Sequence, residues 1–490
     1  MIQNVSNIQI NMNGMPIKKE KSLTTFIDRP LLDGLIDVYH SSPFKSILSF
    51  ILISLISAII PLSFLWVVLV ILQSICHLFT IPVGLFFQFI LTLWAITEII
   101  FLFYQYYLSI LIQRPARMPT FSQAERDSLI SSTLVNMKDV RGFLSKWFMS
   151  SAFEQISHTH IQSWMAYAFY GKDEKTLNDD ELNTVDTLLK RLKKDYEIEV
   201  VQENREQLKC MKHILDPVCI IFRPFVYYVA TDTICNSLLA TSAFYLMNYK
   251  YYTVGSLSFW MYTDPNEDKR KPPIIFFHGI GAGLLMYIPF FRRIHREHHQ
   301  GRRIILISLR CICMRYPTLS DIPDMNETIA SVHEIFQYFQ FKKAIFIGHS
   351  YGTACLSWIT KNCPEYVSKL IFIDPICFEL FEPYVIFNFV YRKPYRLGHL
   401  YMYYFVCREL GISHVISRHF WWFQNILFAE QLPTNIQTKV FLSGRDCIVN
   451  VHLVKDYLNE NRIDFHWAPK LSHGGYMQDK HSWDKIAEWI

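Results

Sequence analysis

The sequence predicts an α/β domain in its second half, with a mostly parallel sheet under a helical cap, preceded by an N-terminal transmembrane helical hairpin and a helical extension. Three observations carry this reading. Between residues 46 and 113 nearly every side chain is apolar. From 114 to 250 apolar residues recur at helix spacing on otherwise polar segments. Beyond 251 short β-rich runs alternate with helical stretches, the pattern of βαβ units. The expected divisions are a cytosolic tail at 1–45, the hairpin at 46–113, the extension at 114–250 and the α/β domain at 251–490, with a cap insertion at 375–430.

Composition narrows the class. Hydrophobic residues make up 51% of the 490-residue chain and aromatics 16%, and the excess is concentrated in the apolar runs. A net charge of +5 is too small and too dispersed for a nucleic-acid partner, and the aromatics lie in apolar runs rather than among basic residues. Eleven cysteines without regular spacing read as a reduced, cytosol-facing chain. Cys311-Ile312-Cys313 lacks the second pair of a structural metal site, so no metal is expected.

In the hairpin, 47–75 contains no charge and a second apolar run covers 81–112. Each exceeds the ~20 residues that span a bilayer core. Lys18, Lys19, Lys21 and Lys45 precede the pair and Arg114, Arg117 and Arg126 follow it, while the joining loop carries no positive charge. The positive-inside tendency puts both ends in the cytosol. Pro61 and Pro82 are compatible with full crossing and with a dip into one leaflet, and both the ER membrane and a lipid-droplet surface suit such an anchor. Glu98 is the one charge inside the second run. The aromatic cluster from Phe101 to Tyr107 reads as an interfacial belt, which would put Glu98 near the headgroups.

In the extension, Asn178-Asp179-Asp180-Glu181 reads as a capped helix start, after which Leu182, Val185, Leu188, Leu189 and Leu192 recur at helix spacing. The basic run 190–194 reads as a solvated face. The stretch 214–229, interrupted by Asp216, Pro217, Arg223 and Pro224, reads as an amphipathic or buried helical segment.

In the α/β domain, strands are expected at 256–262, 274–277, 303–308, 343–347, 369–373, 438–442 and 463–467, with a helix at 326–340. The run 344–347 leads into Gly348-His349-Ser350-Tyr351-Gly352, a strand–turn–helix pattern that lifts Ser350 out of the backbone. The loop His278-Gly279-Ile280-Gly281-Ala282-Gly283 follows another strand. Its glycines let N–H groups approach a ligand oxygen, and the amides of Ile280 and Tyr351 would form an oxyanion site beside His278 and Gly279. Such donors are worth roughly 3–4 kcal/mol each in the transition state. The loop does not match the dinucleotide fingerprint G-x-G-x-x-G. Asp446 follows the strand at 438–442 and His473 follows the one at 463–467. Asp374, at the end of the strand at 369–373, is the rival acid. His295, His298 and His299, with Arg292, Arg293 and Arg296 nearby, fit a solvated helix end better than a metal site.

The pentapeptide, the His278-Gly279 loop, Asp446 and His473 stand in the chain order of one family, and residues 255–490 resemble an α/β-hydrolase domain of the lipase/esterase type. The resemblance implies Ser350 as nucleophile, His473 as base and Asp446 as acid, with no metal and no redox cofactor. Between Asp374 and Asp446 the chain is rich in aromatics, among them Phe378, Phe381, Tyr404, Phe405, Trp421 and Trp422. A cap of this composition favours an acyl or lipid-like substrate. The expected function is a membrane-anchored serine hydrolase cleaving a lipid or acyl ester, with the lipid bilayer and the ester as its partners. An acyltransferase using the same triad, and a non-catalytic membrane scaffold, are the alternatives.

Overall fold

Isoleucine and phenylalanine occupy successive positions of the central strands, and a strand apolar on both faces must be covered on both. The computed structural model describes residues 43–76, 80–202, 208–298, 301–394 and 397–490. Lys18, Lys19, Lys21, the hairpin loop 77–79 and His299 lie outside the described residues, as do the side chains of Lys45 and His298. Eight strands form one sheet: β1 (Tyr249–Val254), β2 (Leu257–Tyr262), β3 (Ile274–Phe277), β4 (Ile304–Ser308), β5 (Ala344–His349), β6 (Val367–Ile373), β7 (Gln437–Arg445) and β8 (Phe465–Ser472). Their order is β1-β2-β4-β3-β5-β6-β7-β8. β2 pairs antiparallel with β1 and β4, and every other pairing is parallel. Side chains alternate between two cores: Ile275, Phe277, Phe346 and Phe372 face one, and Ile274, Phe276, Ile347 and Ile373 the other.

Two edge strands differ from expectation. β1 begins at Tyr249, inside the stretch read as the end of the extension, and β8 runs to Ser472 rather than stopping at 467. Both are sheet edges with many half-exposed or exposed positions, so neither carries the apolar run of a central strand. The helix expected at 326–340 is α3 of the labels used below (Met325–Phe339), started by a capping box between Asp324 and Glu327.

The hairpin helices are α1 (Pro43–Cys76) and α2 (Leu85–Leu111), both long and apolar enough to cross a membrane. Glu98 lies within α2. It is fully buried, accepting hydrogen bonds from Trp94 Nε1 (3.0 Å), Phe225 N–H and Val226 N–H (3.0 Å). It therefore caps the helix that starts at Phe225, because the first N–H groups of a helix need acceptors. The stretch 214–229 also departs from a helical reading. Residues 217–224 carry no regular secondary structure, and Gln105 of α2 and Gln113 just beyond it pair with their backbone. Gln105 donates to Arg223 O (2.6 Å) and accepts from Arg223 N–H (3.1 Å), and Gln113 does the same with Val218 (3.2 and 3.0 Å). Pro217 and Pro224 resist helix, and the irregular backbone that results still needs partners. His295 is not solvated as expected: its ring packs against those of Tyr249 and Tyr262, with centroids 6.0 and 4.1 Å away.

In the extension, Asn178 caps the helix Asp179–Asp195 with a capping box to Glu181. The extension shares the sheet's core and buttresses the cap. Trp147 Nε1 donates to Phe381 O (3.3 Å), and Trp422 Nε1 donates to Ala168 O (2.9 Å).

Candidate active site

β5 ends in a turn that exposes Ser350, and α4 (Gly352–Asn362) begins two residues later. Ser350 has φ +51°, a left-handed conformation that disfavours a side chain. Ser350 N–H donates to Ile373 O (3.0 Å), while Thr353 donates from both N–H (2.9 Å) and Oγ1 (2.6 Å) to Ser350 O. A Cβ at Gly352 would lie 2.1 Å from Phe277 O, so α4 can approach β3 only with glycine there.

His473 follows β8 and Asp446 follows β7. His473 Nε2 lies 2.7 Å from Ser350 Oγ, and His473 Nδ1 lies 2.6 Å from Asp446 Oδ2. The other Asp446 oxygen accepts from Ile448 N–H (2.7 Å) and Val449 N–H (3.2 Å), which orients the carboxylate. Because that carboxylate can only accept, Nδ1 carries the proton and Nε2 is free to accept from Ser350. Burial disfavours charge on His473, but the charge and hydrogen bond of Asp446, with the charge of Asp374 behind it, win and raise its pKa from 6.5 to about 9.

The structure brings Ile280 and Tyr351 to the same cavity as Ser350 and His473. Among the described residues, neither Ile280 N–H nor Tyr351 N–H has a backbone acceptor, which leaves both available to a ligand oxygen. His278 and Gly279 lie behind this loop and do not line the cavity, contrary to their expected place. His278 is fully buried, with Nε2 accepting from Leu309 N–H (2.9 Å) and Nδ1 2.7 Å from Gly279 O. Gly279 N–H is used by the Tyr287 hydroxyl (3.0 Å), and a Cβ at Gly279 would meet Ser350 Cβ at 2.8 Å. The two residues shape the loop that presents Ile280. The rival acid Asp374 does not hold the His473 ring, since Asp446 occupies Nδ1. The Asp374 oxygens accept from Ser443 N–H (3.1 Å) and Gly474 N–H (2.7 Å).

The cavity measures about 170 Å³. The cap walls it with Ile386, Phe389, Met402, Val406, Ile416 and Phe420, so its lining is apolar apart from Ser350, Tyr351 and His473. The sequence pattern assigns no role to His349 or Tyr287. Both are buried in contact with the site, with Tyr287 Oη 2.7 Å from His349 Nδ1. Neither carries a sequence signal, because their partners come from other loops.

A family model described as alpha/beta hydrolase fold matches residues 272–392. The sheet-bearing half of this chain is an α/β-hydrolase fold. A Haemophilus influenzae protein provisionally named esterase/lipase is 28% identical over 169 residues, which are 33% of this chain and 52% of that protein. The chain thus spans about half the length of the curated relative it matches. Among solved structures, naproxen esterase (carboxylesterase NP) from Bacillus subtilis is similar at 11% identity with a TM-score of 0.39, covering 54% of this chain and 97% of the esterase. A membrane phospholipase A described as a bacterial virulence factor is similar at 16% identity with a TM-score of 0.37, covering 54% of this chain and 94% of that one. At such scores these two likenesses add nothing to the argument from the site.

Proposed function

We propose that the α/β-hydrolase of this chain is a membrane-anchored serine hydrolase that cleaves a lipid or other acyl ester. The observation that carries this reading is the hydrogen-bonded chain Ser350–His473–Asp446, with links of 2.7 and 2.6 Å, at an apolar cavity. His473 Nε2 takes the Ser350 hydroxyl proton as Oγ attacks the acyl carbonyl. The oxyanion that forms accepts from Ile280 N–H and Tyr351 N–H. The tetrahedral intermediate collapses, the C–O bond to the alcohol breaks, and His473 gives its proton to the departing oxygen. A water then loses a proton to His473 and attacks the acyl-enzyme, and the acid leaves as Ser350 recovers its proton. Asp446 holds the imidazole in the required tautomer and stabilises its charged form.

Two observations support a lipid substrate. Met402 and Val406 line the cavity, while Tyr404 and Phe405 between them share one apolar cluster with Ile53 and Ile56 of α1 and Phe101 of α2, and Ser57 Oγ of α1 donates to Tyr404 Oη (3.3 Å). One cap segment therefore joins the apolar cavity to the hairpin. The hairpin itself exposes large apolar side chains such as Leu55, Ile75, Leu85 and Phe86, which suit a bilayer. Arg114 and Arg117 just beyond α2 support the cytosolic orientation of the domain.

The test is fluorophosphonate labelling of the full chain in detergent. Ser350→Ala is expected to abolish labelling while circular dichroism stays unchanged. Labelling that persists in the folded variant excludes Ser350 as the nucleophile.

A further inference from the structure

The group that holds the catalytic loops together is not a member of the triad. We propose that Asp374 is a positioning residue that ties the nucleophile, acid, base and oxyanion loops to one another, with His349 and Tyr287 as its relay to the last of these. The inference rests on the triad reading above.

Asp374 ends β6 with φ +45° and is fully buried. A non-glycine residue holds that conformation only when its surroundings impose it. Here Asp374 N–H donates to Phe441 O (2.9 Å), Oδ1 accepts from Ser443 N–H (3.1 Å) and Oδ2 accepts from Gly474 N–H (2.7 Å). His349 Nε2 lies 3.8 Å from Oδ2. The relay follows from hydrogen-bond inventory. The Tyr287 hydroxyl accepts from Gly279 N–H (3.0 Å), and among the described residues its one acceptor is His349 Nδ1 (2.7 Å), so its proton goes there. His349 therefore carries its proton on Nε2, facing Asp374.

Each contact is a close chain neighbour of a reacting group. Gly474 follows His473, His349 precedes Ser350, and Gly279 precedes Ile280. Ser443 stands three residues before Asp446 and accepts the Asp446 N–H (3.2 Å). One carboxylate thus reaches all four loops within two side chains. A side chain needed only to end a strand would not require acceptors for two separate loops.

The charge adds to the geometry. The titratable groups around Asp374 are His349, His473, Tyr287 and Tyr476. Around His473 they are Asp446, Asp374 and His349. Burial lowers the pKa of His349, although Asp374 opposes this, and burial pushes both phenols up. Burial also opposes the Asp374 charge, but His349 beside it, the positive charge that His473 can take and the Ser443 N–H hold its pKa below the ordinary value. Asp374 is then a second anion favouring the imidazolium that forms when Ser350 attacks.

The experiment uses the full chain in detergent micelles, with hydrolysis of a 4-nitrophenyl acyl ester followed from pH 5 to 10. Asp374→Asn places an amide N–H against one of two backbone donors and removes the charge. Its kcat is expected to fall by about a hundredfold, the loss typical of reacting groups displaced by about 1 Å, with little change in KM. The acid limb of its pH profile should move to lower pH. Tyr287→Phe cuts only the relay, and is expected to lower kcat by about tenfold with no movement of the limb. Thermal melting of each variant identifies any that fail to fold, and the Tyr287→Phe comparison keeps the idea testable if Asp374→Asn is one of them. A folded Asp374→Asn enzyme with wild-type kcat and pH limb overturns the proposal, as does a wild-type kcat for Tyr287→Phe. Ser350→Ala run alongside separates the two readings: labelling retained there removes the triad, whatever Asp374 does.

Discussion

Among the described residues, Glu98 and Asp374 are carboxylates with no exposed surface, in two different regions, and both are satisfied by backbone N–H groups. At the junction of the hairpin and the domain, Glu98 accepts from Phe225 and Val226 N–H. At the C-terminal edge of the sheet, Asp374 accepts from Ser443 and Gly474 N–H. The physics is shared, because a buried carboxylate is tolerable only when donors replace its water. What differs is what the donors belong to. Those of Glu98 start a helix, so losing them loosens architecture. Those of Asp374 belong to loops that carry Asp446 and His473, so losing them displaces chemistry. A buried acid is therefore read from the segments it joins, not from its burial.

The comparison can be broken at either end, and the largest effects belong to the catalytic edge. Asp446→Asn leaves the carboxamide free to donate to His473 and favours the wrong tautomer. A loss of kcat by roughly 10³–10⁴ is expected in ester hydrolysis, with folding retained. A loss below about tenfold would reassign the acid. Next is pH. The base works as neutral imidazole, and the folded pKa of His473 is about 9, so kcat/KM should rise with pH up to that region and fall as protons return below it. An acid limb centred near 5 would contradict the electrostatic reading of Asp446 and Asp374.

Smaller effects belong to the other region. Glu98→Ala strands buried helix N–H groups and should cost about 1–3 kcal/mol in unfolding of the full chain in detergent, with kcat nearly unchanged at permissive temperature. A large kcat loss without destabilisation would erase the distinction between the two acids. Smallest is Lys138→Ala. The Lys138–Glu460 pair is more than half exposed on both sides, so its loss should shift stability by no more than about 1 kcal/mol.

Much of the site was legible because its residues follow apolar strands. Ser350 and Asp446 stand just past apolar runs of β-forming side chains, His473 follows the edge strand β8, and a parallel sheet brings strand ends to one edge. Tyr287 and His349 were not legible. Their pairing depends on β3 lying next to β5, a neighbour relation of strands separated by β4 in the chain. The partners of Glu98 were not legible for a similar reason. They are the first N–H groups of a helix more than 120 residues downstream.

By itself the sequence determined the strand–helix alternation, the apolar hairpin, the strained turn at Ser350 and the order of serine, acid and histidine, because each is set by local periodicity or by residues close in the chain. Only the tertiary structure decided between Asp446 and Asp374 at the His473 ring, moved His278 and Gly279 behind the oxyanion loop and turned Glu98 inward. Those outcomes depend on distances of about 3 Å between segments remote in sequence. Such distances arise from the packing of the whole sheet with its cap and hairpin, and no local pattern encodes them.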